Sequence, residues 1–267
     1  MKVGFIGLGD QGGPMAEVIA AAGHTLYIWA RRKEALAPYV ARGAIACDEP
    51  AKLAGLVDHL GLCVPAEADV RELLLDRGVL AKLKPGSVIA IHTTMAPEGC
   101  QRLAAVAAER GVDLIDAPVS GGREAALVRR LLALVGGEPA AVQKAMPVLL
   151  SYADRVLRIG PVGAGQTAKI LNNLLLNANL AAAHFVLEYG EALGLDRAQL
   201  RAILLQGTAA STALDWLDRA VVPGRHPATL GRKDIQLALD LATATAVPAE
   251  IQIIARSALR GREVLEG

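Results

Sequence analysis

Over the first 160 residues, short runs of consecutive apolar positions alternate with longer stretches in which apolar residues recur every three or four positions. Strands buried on both faces and amphipathic helices give that alternation, so the pattern predicts βαβ units on a parallel sheet. The run Lys-Val-Gly-Phe-Ile at residues 2–6 opens it. Further strands are expected at Thr25 to Trp29, around Ala44 to Ala46, at His59 to Val64, at Ser87 to His92, at Asp113 to Ile115, at Leu132 to Val135 and at Val156 to Ile159. From Gln166 onward the chain reads as helix, broken at Gly194, at Val222 to Pro227 and at Pro248. Two domains are therefore expected: an α/β domain over residues 1–161 and an all-α domain over residues 162–267.

The run from Gln166 to Leu193 is long for a globular helix and carries Ala and Leu all round. It is expected to be buried on several faces and to serve as a spine between domains or subunits, which implies a homodimer or homotetramer. Its most apolar part, Leu174 to Leu187, is interrupted by Asn177, Asn179 and His184 and is expected to fall short of a membrane span. With 28 Lys and Arg against 27 Asp and Glu, the net charge of +1 creates no field toward nucleic acid or anionic lipid. Neither is expected as a partner. Aromatics are 3% of a chain that is 53% hydrophobic, so the core has to be built from Ala, Leu and Val. Cys47, Cys63 and Cys100 are odd in number, match no metal-ligand spacing and read as buried thiols of a cytoplasmic protein, with no metal expected.

Directly after the first strand comes Gly7-Leu-Gly9-Asp-Gln11-Gly12, followed by a helical run containing Met15, Ala16, Val18 and Ile19. In a strand–turn–helix context the first glycine makes the tight turn and the second lets backbone approach a pyrophosphate. The third packs helix on strand, and the helix N-terminus faces the phosphates. The N-terminal domain is therefore expected to be Rossmann-type and to bind a dinucleotide. An NAD site usually puts Asp or Glu at the end of the second strand, whereas here Arg31, Arg32 and Lys33 follow Trp29-Ala30. Cations favour a 2′-phosphate, so NADP is the expected cofactor, with NAD bound more weakly.

Lys169, Asn172 and Asn173 stand at i, i+3 and i+4, and on a helix they share one face. A carbonyl that accepts hydride develops negative charge on oxygen, which an ammonium can stabilise and protonate; oxidation runs the same step backwards. Ser120-Gly121-Gly122 offers a hydroxyl and consecutive backbone N–H groups without shielding side chains, a cradle for a carboxylate. The five histidines, His24, His59, His92, His184 and His226, lack partners at telling spacing and read as structural, with His226 alone expected near the site.

Two of these segments, Asp116-Ala-Pro-Val-Ser-Gly-Gly122 and Gly160-x-x-Gly163-x-Gly165-x-x-x-Lys169-x-x-Asn172-Asn173, resemble the β-hydroxyacid dehydrogenases, the family of 3-hydroxyisobutyrate dehydrogenase and tartronate semialdehyde reductase. Val64-Pro65, Thr93-Thr94-x-x-Pro97 and Lys233-Asp234 resemble it as well. The resemblance implies a small 3-hydroxy acid or semialdehyde as substrate and Lys169 as general acid and base. It also implies that Ser120, Gly121, Gly122, Asn172 and Asn173 bind substrate. Gly7, Gly9, Gln11, Gly12, Arg31, Arg32, Val64, Pro65, Thr94 and Lys233 would hold the cofactor, with Asp234 orienting. The chain departs from the family at Arg129-Arg130, where relatives show Gly-Thr, and at His226. The alternatives are an imine reductase-like enzyme and a non-catalytic NADP-binding sensor or assembly protein, both of which tend to lack the lysine.

Overall fold

The computed structural model describes residues 1–220, 228–245 and 247–266; the expected break at Val222 to Pro227, and His226 with it, lies outside them. Two compact units divide the chain, residues 1–169 and 170–267.

In the first unit, β1 (Lys2–Ile6) lies at the centre of a sheet, paired in parallel with β2 (Thr25–Trp29) on one side and β4 (His59–Leu62) on the other. With β3 (Ile45–Ala46), β5 (Val88–Ile91) and β6 (Asp113–Asp116), the parallel order is β3-β2-β1-β4-β5-β6. This is the doubly wound dinucleotide-binding arrangement, in which the strand order reverses beside β1. Side chains alternate across β1. Val3 and Phe5 enter a core with Met15, Ile19 and Ile28, while Ile6 enters a second with Leu53, Leu60, Leu62 and Leu73. Burying each such side chain contributes about 1.5–3 kcal/mol, which is why both faces of this strand had to be apolar.

The sheet is not parallel throughout, as the alternation had suggested. After β6 the chain continues as β7 (Val119–Ser120) and returns as β8 (Leu131–Gly136), antiparallel to both, with Asp116 opposite Gly136 and Ser120 opposite Leu132. The connection over residues 121–130 carries only the short helix Gly122–Leu127, and a parallel crossover needs more chain than that. β9 (Ala153–Gly160) then adds parallel to β8 through the Pro139–Leu149 helix and leaves Leu157 and Ile159 exposed. β7 escaped the sequence reading because two residues give no periodicity.

The helix Ala164–Ala192 spans the last residues of the first unit and enters the second. Within the helical unit, Ile170 and Leu174 pack with Ile235, Ala238, Ala255 and Ala258, and Leu180 and Leu187 pack with Ala213, Leu214 and Leu217. The expectation of burial on several faces is corrected by its other side. Leu171, Leu175, Asn179, Ala182, Val186, Tyr189 and Leu193 are all exposed. From Leu175 they recur at spacings of four and three, the period of a coiled-coil seam. By length and composition the helix is also long and apolar enough to cross a membrane, contrary to expectation, with a mean hydropathy of 1.3 in its best window. Its buried Asn173 and Asn177 and its packed face serve a protein core.

Candidate active site

The glycine turn joins β1 to the Gly12–Ala21 helix, and its three glycines have different surroundings. Gly7 has φ +106, and a Cβ there would sit 2.1 Å from the Cys63 carbonyl oxygen. At Gly12 a Cβ would sit 2.0 Å from the Gly7 oxygen. At Gly9 it would meet nothing within 4 Å. The outer glycines thus permit the turn and the packing, and the middle one faces open space. Gln11 caps the helix without a side-chain hydrogen bond, and its buried Nε2 has no partner among the described residues. An open backbone, an amide donor without an acceptor and a helix start together fit a pyrophosphate.

At the end of β2 a pocket of about 150 Å³ is bordered by Trp29, Arg31, Lys33, Cys47 and Asp48. Arg31 lies on its rim as an exposed side chain ion-paired to Asp69, and Arg32 and Lys33 are exposed beside it. A larger hollow of about 310 Å³ lies along the Gly12–Ala21 helix, lined by Ala16, Val18, Leu26 and Leu127. Its Arg42 and Glu17 are paired with each other.

Across the carboxyl edge of the sheet, Thr93 clamps two loops: its hydroxyl donates to the Val64 carbonyl at 2.9 Å and accepts from the Val64 N–H at 3.0 Å. Thr93 is buried while Thr94 and Val64 are half-buried and Pro65 exposed, so the Thr-Thr pair divides into a structural and an accessible member. Ser120 ends β7, with Gly121 at φ +130 and Gly122 at φ +76 after it. The next residue, Arg123, reaches Asp10 of the glycine turn at 3.7 Å, which brings the expected carboxylate cradle beside the expected cofactor turn.

Asp116, Gln166 and the purpose of the second glycine motif were missed in the sequence. Asp116 is fully buried at the end of β6, where it accepts the Gly163 N–H at 2.7 Å and the Gln166 N–H at 2.8 Å. Burial pushes its carboxyl pKa up, and the N–H groups of Gly163 and Gln166 pull the other way. Gln166 is also buried, donating to the Thr93 carbonyl at 2.8 Å and accepting from the Met95 N–H at 3.1 Å. Gly163 has φ +95, and a Cβ on Gly165 would sit 2.4 Å from the Leu134 oxygen. Gly163 therefore permits the turn and Gly165 lets the start of the Ala164–Ala192 helix lie directly against β8, with Asp116 as the anion at its N-terminus. Lys169, half-buried, follows on the second turn of that helix. The signal was present, since an Asp that ends an apolar strand is a charge the sheet will bury; only the fold says which helix start, 47 positions on, receives it.

Of the two asparagines, Asn172 is exposed and Asn173 buried. The Asn173 amide is engaged on both sides, accepting from Asn172 at 3.0 Å and donating to Asp234 at 2.6 Å. Asp234 also lies 3.7 Å from the half-buried Lys233, so the Lys-Asp pair and the asparagines form one polar chain. Of the thiols, only Cys100 is buried; Cys47 and Cys63 are half-buried, and none forms a disulfide.

Residues 2–160 match a family model described as the NAD binding domain of 6-phosphogluconate dehydrogenase, and residues 163–263 one described as NAD-binding of NADP-dependent 3-hydroxyisobutyrate dehydrogenase. The chain is 33% identical over 268 residues to 2-(hydroxymethyl)glutarate dehydrogenase of Eubacterium barkeri, covering 98% of this chain and 89% of that one. It is 33% identical over 271 residues to NAD-dependent L-serine dehydrogenase of Pseudomonas aeruginosa, covering 97% and 91%. The solved structure of Mycobacterium tuberculosis 3-hydroxyisobutyrate dehydrogenase with L-serine superposes with a TM-score of 0.87 at 26% identity, covering 98% of this chain and 93% of that one. With a parallel dinucleotide-binding sheet, a glycine turn open at its centre and these relatives, the chain belongs to the β-hydroxyacid dehydrogenase family, as an oxidoreductase of the hydroxyacid dehydrogenase class.

Proposed function

We propose that the protein interconverts a small β-hydroxy acid and its semialdehyde with NADP(H), using Lys169 as general acid and base. The observation that carries this reading is the anchoring of the lysine's helix. Asp116 and Gln166 tie its first turn to the ends of β5 and β6, the sheet edge that also carries the glycine turn. When bound, the nicotinamide supplies or takes up the hydride. Lys169 would stabilise the developing oxyanion and give it a proton in reduction, and take that proton back in oxidation. Ser120 and the backbone N–H groups of Gly121 and Gly122 would hold the substrate carboxylate. Asn172 would assist, since Asn173 is held by Asp234 and acts through it.

The relatives' named substrates narrow the class. L-Serine, 2-(hydroxymethyl)glutarate and 3-hydroxyisobutyrate each carry a hydroxymethyl group on the carbon that bears the carboxylate. We assign residues 1–161 to the cofactor and 162–267 to substrate and self-association, with the exposed seam from Leu175 to Leu193 pairing copies into a homodimer or homotetramer. The unbridged cysteines suit a cytoplasmic enzyme. The test is turnover of these three acids with NADP⁺ and NAD⁺. Oxidation of at least one, faster with NADP⁺ at low cofactor concentration, is expected. Tight dinucleotide binding without turnover of any acid or semialdehyde would favour a sensor instead.

A further inference from the structure

Arg31, the expected reader of a 2′-phosphate, already has an anionic partner within the chain. Its Nη2 pairs with the Asp69 Oδ1. The other carboxylate oxygen of Asp69 accepts the Ala66 N–H at 3.0 Å, which fixes the aspartate in the first turn of the Glu67–Arg71 helix. The exposures are unequal: 18% for the Asp69 side chain against 55% for Arg31. Asp69 is therefore the anchored member and Arg31 the one that can swing. A 2′-phosphate has to compete with Asp69 for the same guanidinium, and a dinucleotide without that phosphate does not.

Resting on the cofactor reading above, we propose that Asp69 is a specificity-determining residue, a latch on Arg31 that lowers affinity for 2′-phosphorylated dinucleotides and narrows the gap between NADP(H) and NAD(H). This accounts for a basic run at the end of β2 in a chain that is 33% identical to an NAD-dependent relative. Preference would be set by two residues far apart in sequence, and only one of them lies in the motif that predicts it.

The probes are adenosine 2′,5′-bisphosphate and ADP, titrated calorimetrically into the full chain without substrate. The variants are Asp69→Asn, Arg31→Ala and both together. Asn keeps an oxygen for the Ala66 N–H, and Asp69→Ser serves as a second variant with a capping hydroxyl should Asn perturb the fold. Releasing Arg31 from a partly exposed pair is expected to tighten bisphosphate binding about three- to tenfold, to shrink as salt is raised and to leave ADP within about twofold. In the Arg31→Ala background the gain should vanish. Bisphosphate affinity that is unchanged or weaker in Asp69→Asn, or a gain that persists without Arg31, overturns the latch. If Arg31→Ala selectively weakens the bisphosphate while Asp69→Asn has no effect, the latch alone fails. If Arg31→Ala leaves both probes unchanged, the NADP reading fails with it.

Discussion

Two helix starts in this chain carry nearly the same glycine pattern, and they are put to opposite uses. Among the described residues, at Gly7–Gly12 the middle glycine faces open space and a glutamine donor has no acceptor. At Gly160–Gly165 the last glycine is pressed against β8 and Gly163 against Pro97, and the position an anion would take is filled by Asp116. A helix N-terminus attracts negative charge in either case. What differs is whether the chain supplies that charge itself. The open start is suited to binding a ligand, and the closed start to holding a side chain, Lys169, in a fixed place.

The comparison is tested hardest at Lys169. If the closed start exists to aim this residue, Lys169→Ala should lower kcat by roughly 10²- to 10⁴-fold while NADPH affinity stays within about twofold, because the proposed site of the cofactor phosphates is the other helix start. Lys169→Arg should not restore the rate, since guanidinium keeps the charge but does not give up its proton near neutral pH. Steady-state kinetics paired with cofactor titration measures both. Activity near wild type in Lys169→Ala would refute the assignment.

Acid should weaken the first unit as a whole. His59 opens β4 and His92 directly follows β5; both are buried, and burial lowers their pKa values to about 3 and about 4. His92 Nδ1 donates to the Ala117 carbonyl at 2.7 Å, which the neutral ring satisfies. Both folded values lie below that of an unfolded histidine, so the unfolded chain takes up protons first and stability falls as pH drops below about 6.5. The loss is about 6 kcal/mol by pH 4, from a limiting slope of about 1.4 kcal/mol per pH unit for each ring that eases as His92 itself begins to titrate. Urea denaturation between pH 8 and pH 4 should show it, and a flat profile would contradict neutral burial.

Asp116→Asn should cost about 3 kcal/mol of stability, since it removes the charge that accepts two backbone N–H groups and can turn an amide N–H toward them. The same urea experiment reads it, and a negligible change would mean that the closed start does not depend on its internal anion.

Alanine at the two glycine turns separates them further. Gly165→Ala should destabilise by about 1–3 kcal/mol through overpacking against Leu134, with the rate reduced in whatever folds. Gly9→Ala should leave stability within about 0.5 kcal/mol and weaken dinucleotide binding instead. Equal effects on stability at both sites would erase the distinction.

The smallest effect is expected at Arg129, which departs from the family's glycine and holds φ +58. Arg129→Gly should raise stability by a few tenths to about 1 kcal/mol, as strain is exchanged for chain entropy. Thermal denaturation is the measurement, and a loss of stability would show that its side chain contributes more than its backbone costs.

The sequence by itself determined most of the strand and helix order, because buried strands and packed helices need apolar residues at different periods and the chain keeps to each in turn; it missed the two-residue β7 and the break between the Arg197–Gln206 and Thr212–Ala220 helices. It also marked the dinucleotide turn, whose glycines are required locally. The reversal at β8 was not legible, since direction depends on whether the residues 121–130 can span a crossover. Nor was the exposed seam of the Ala164–Ala192 helix, because composition that is apolar all round does not say which face finds a neighbour. Only the tertiary structure decided that Asp116 closes one helix start and that Asp69 holds Arg31. Each of these pairs joins residues 38 or more positions apart, and a charge in the sequence carries no mark of its partner until the fold removes water from between them.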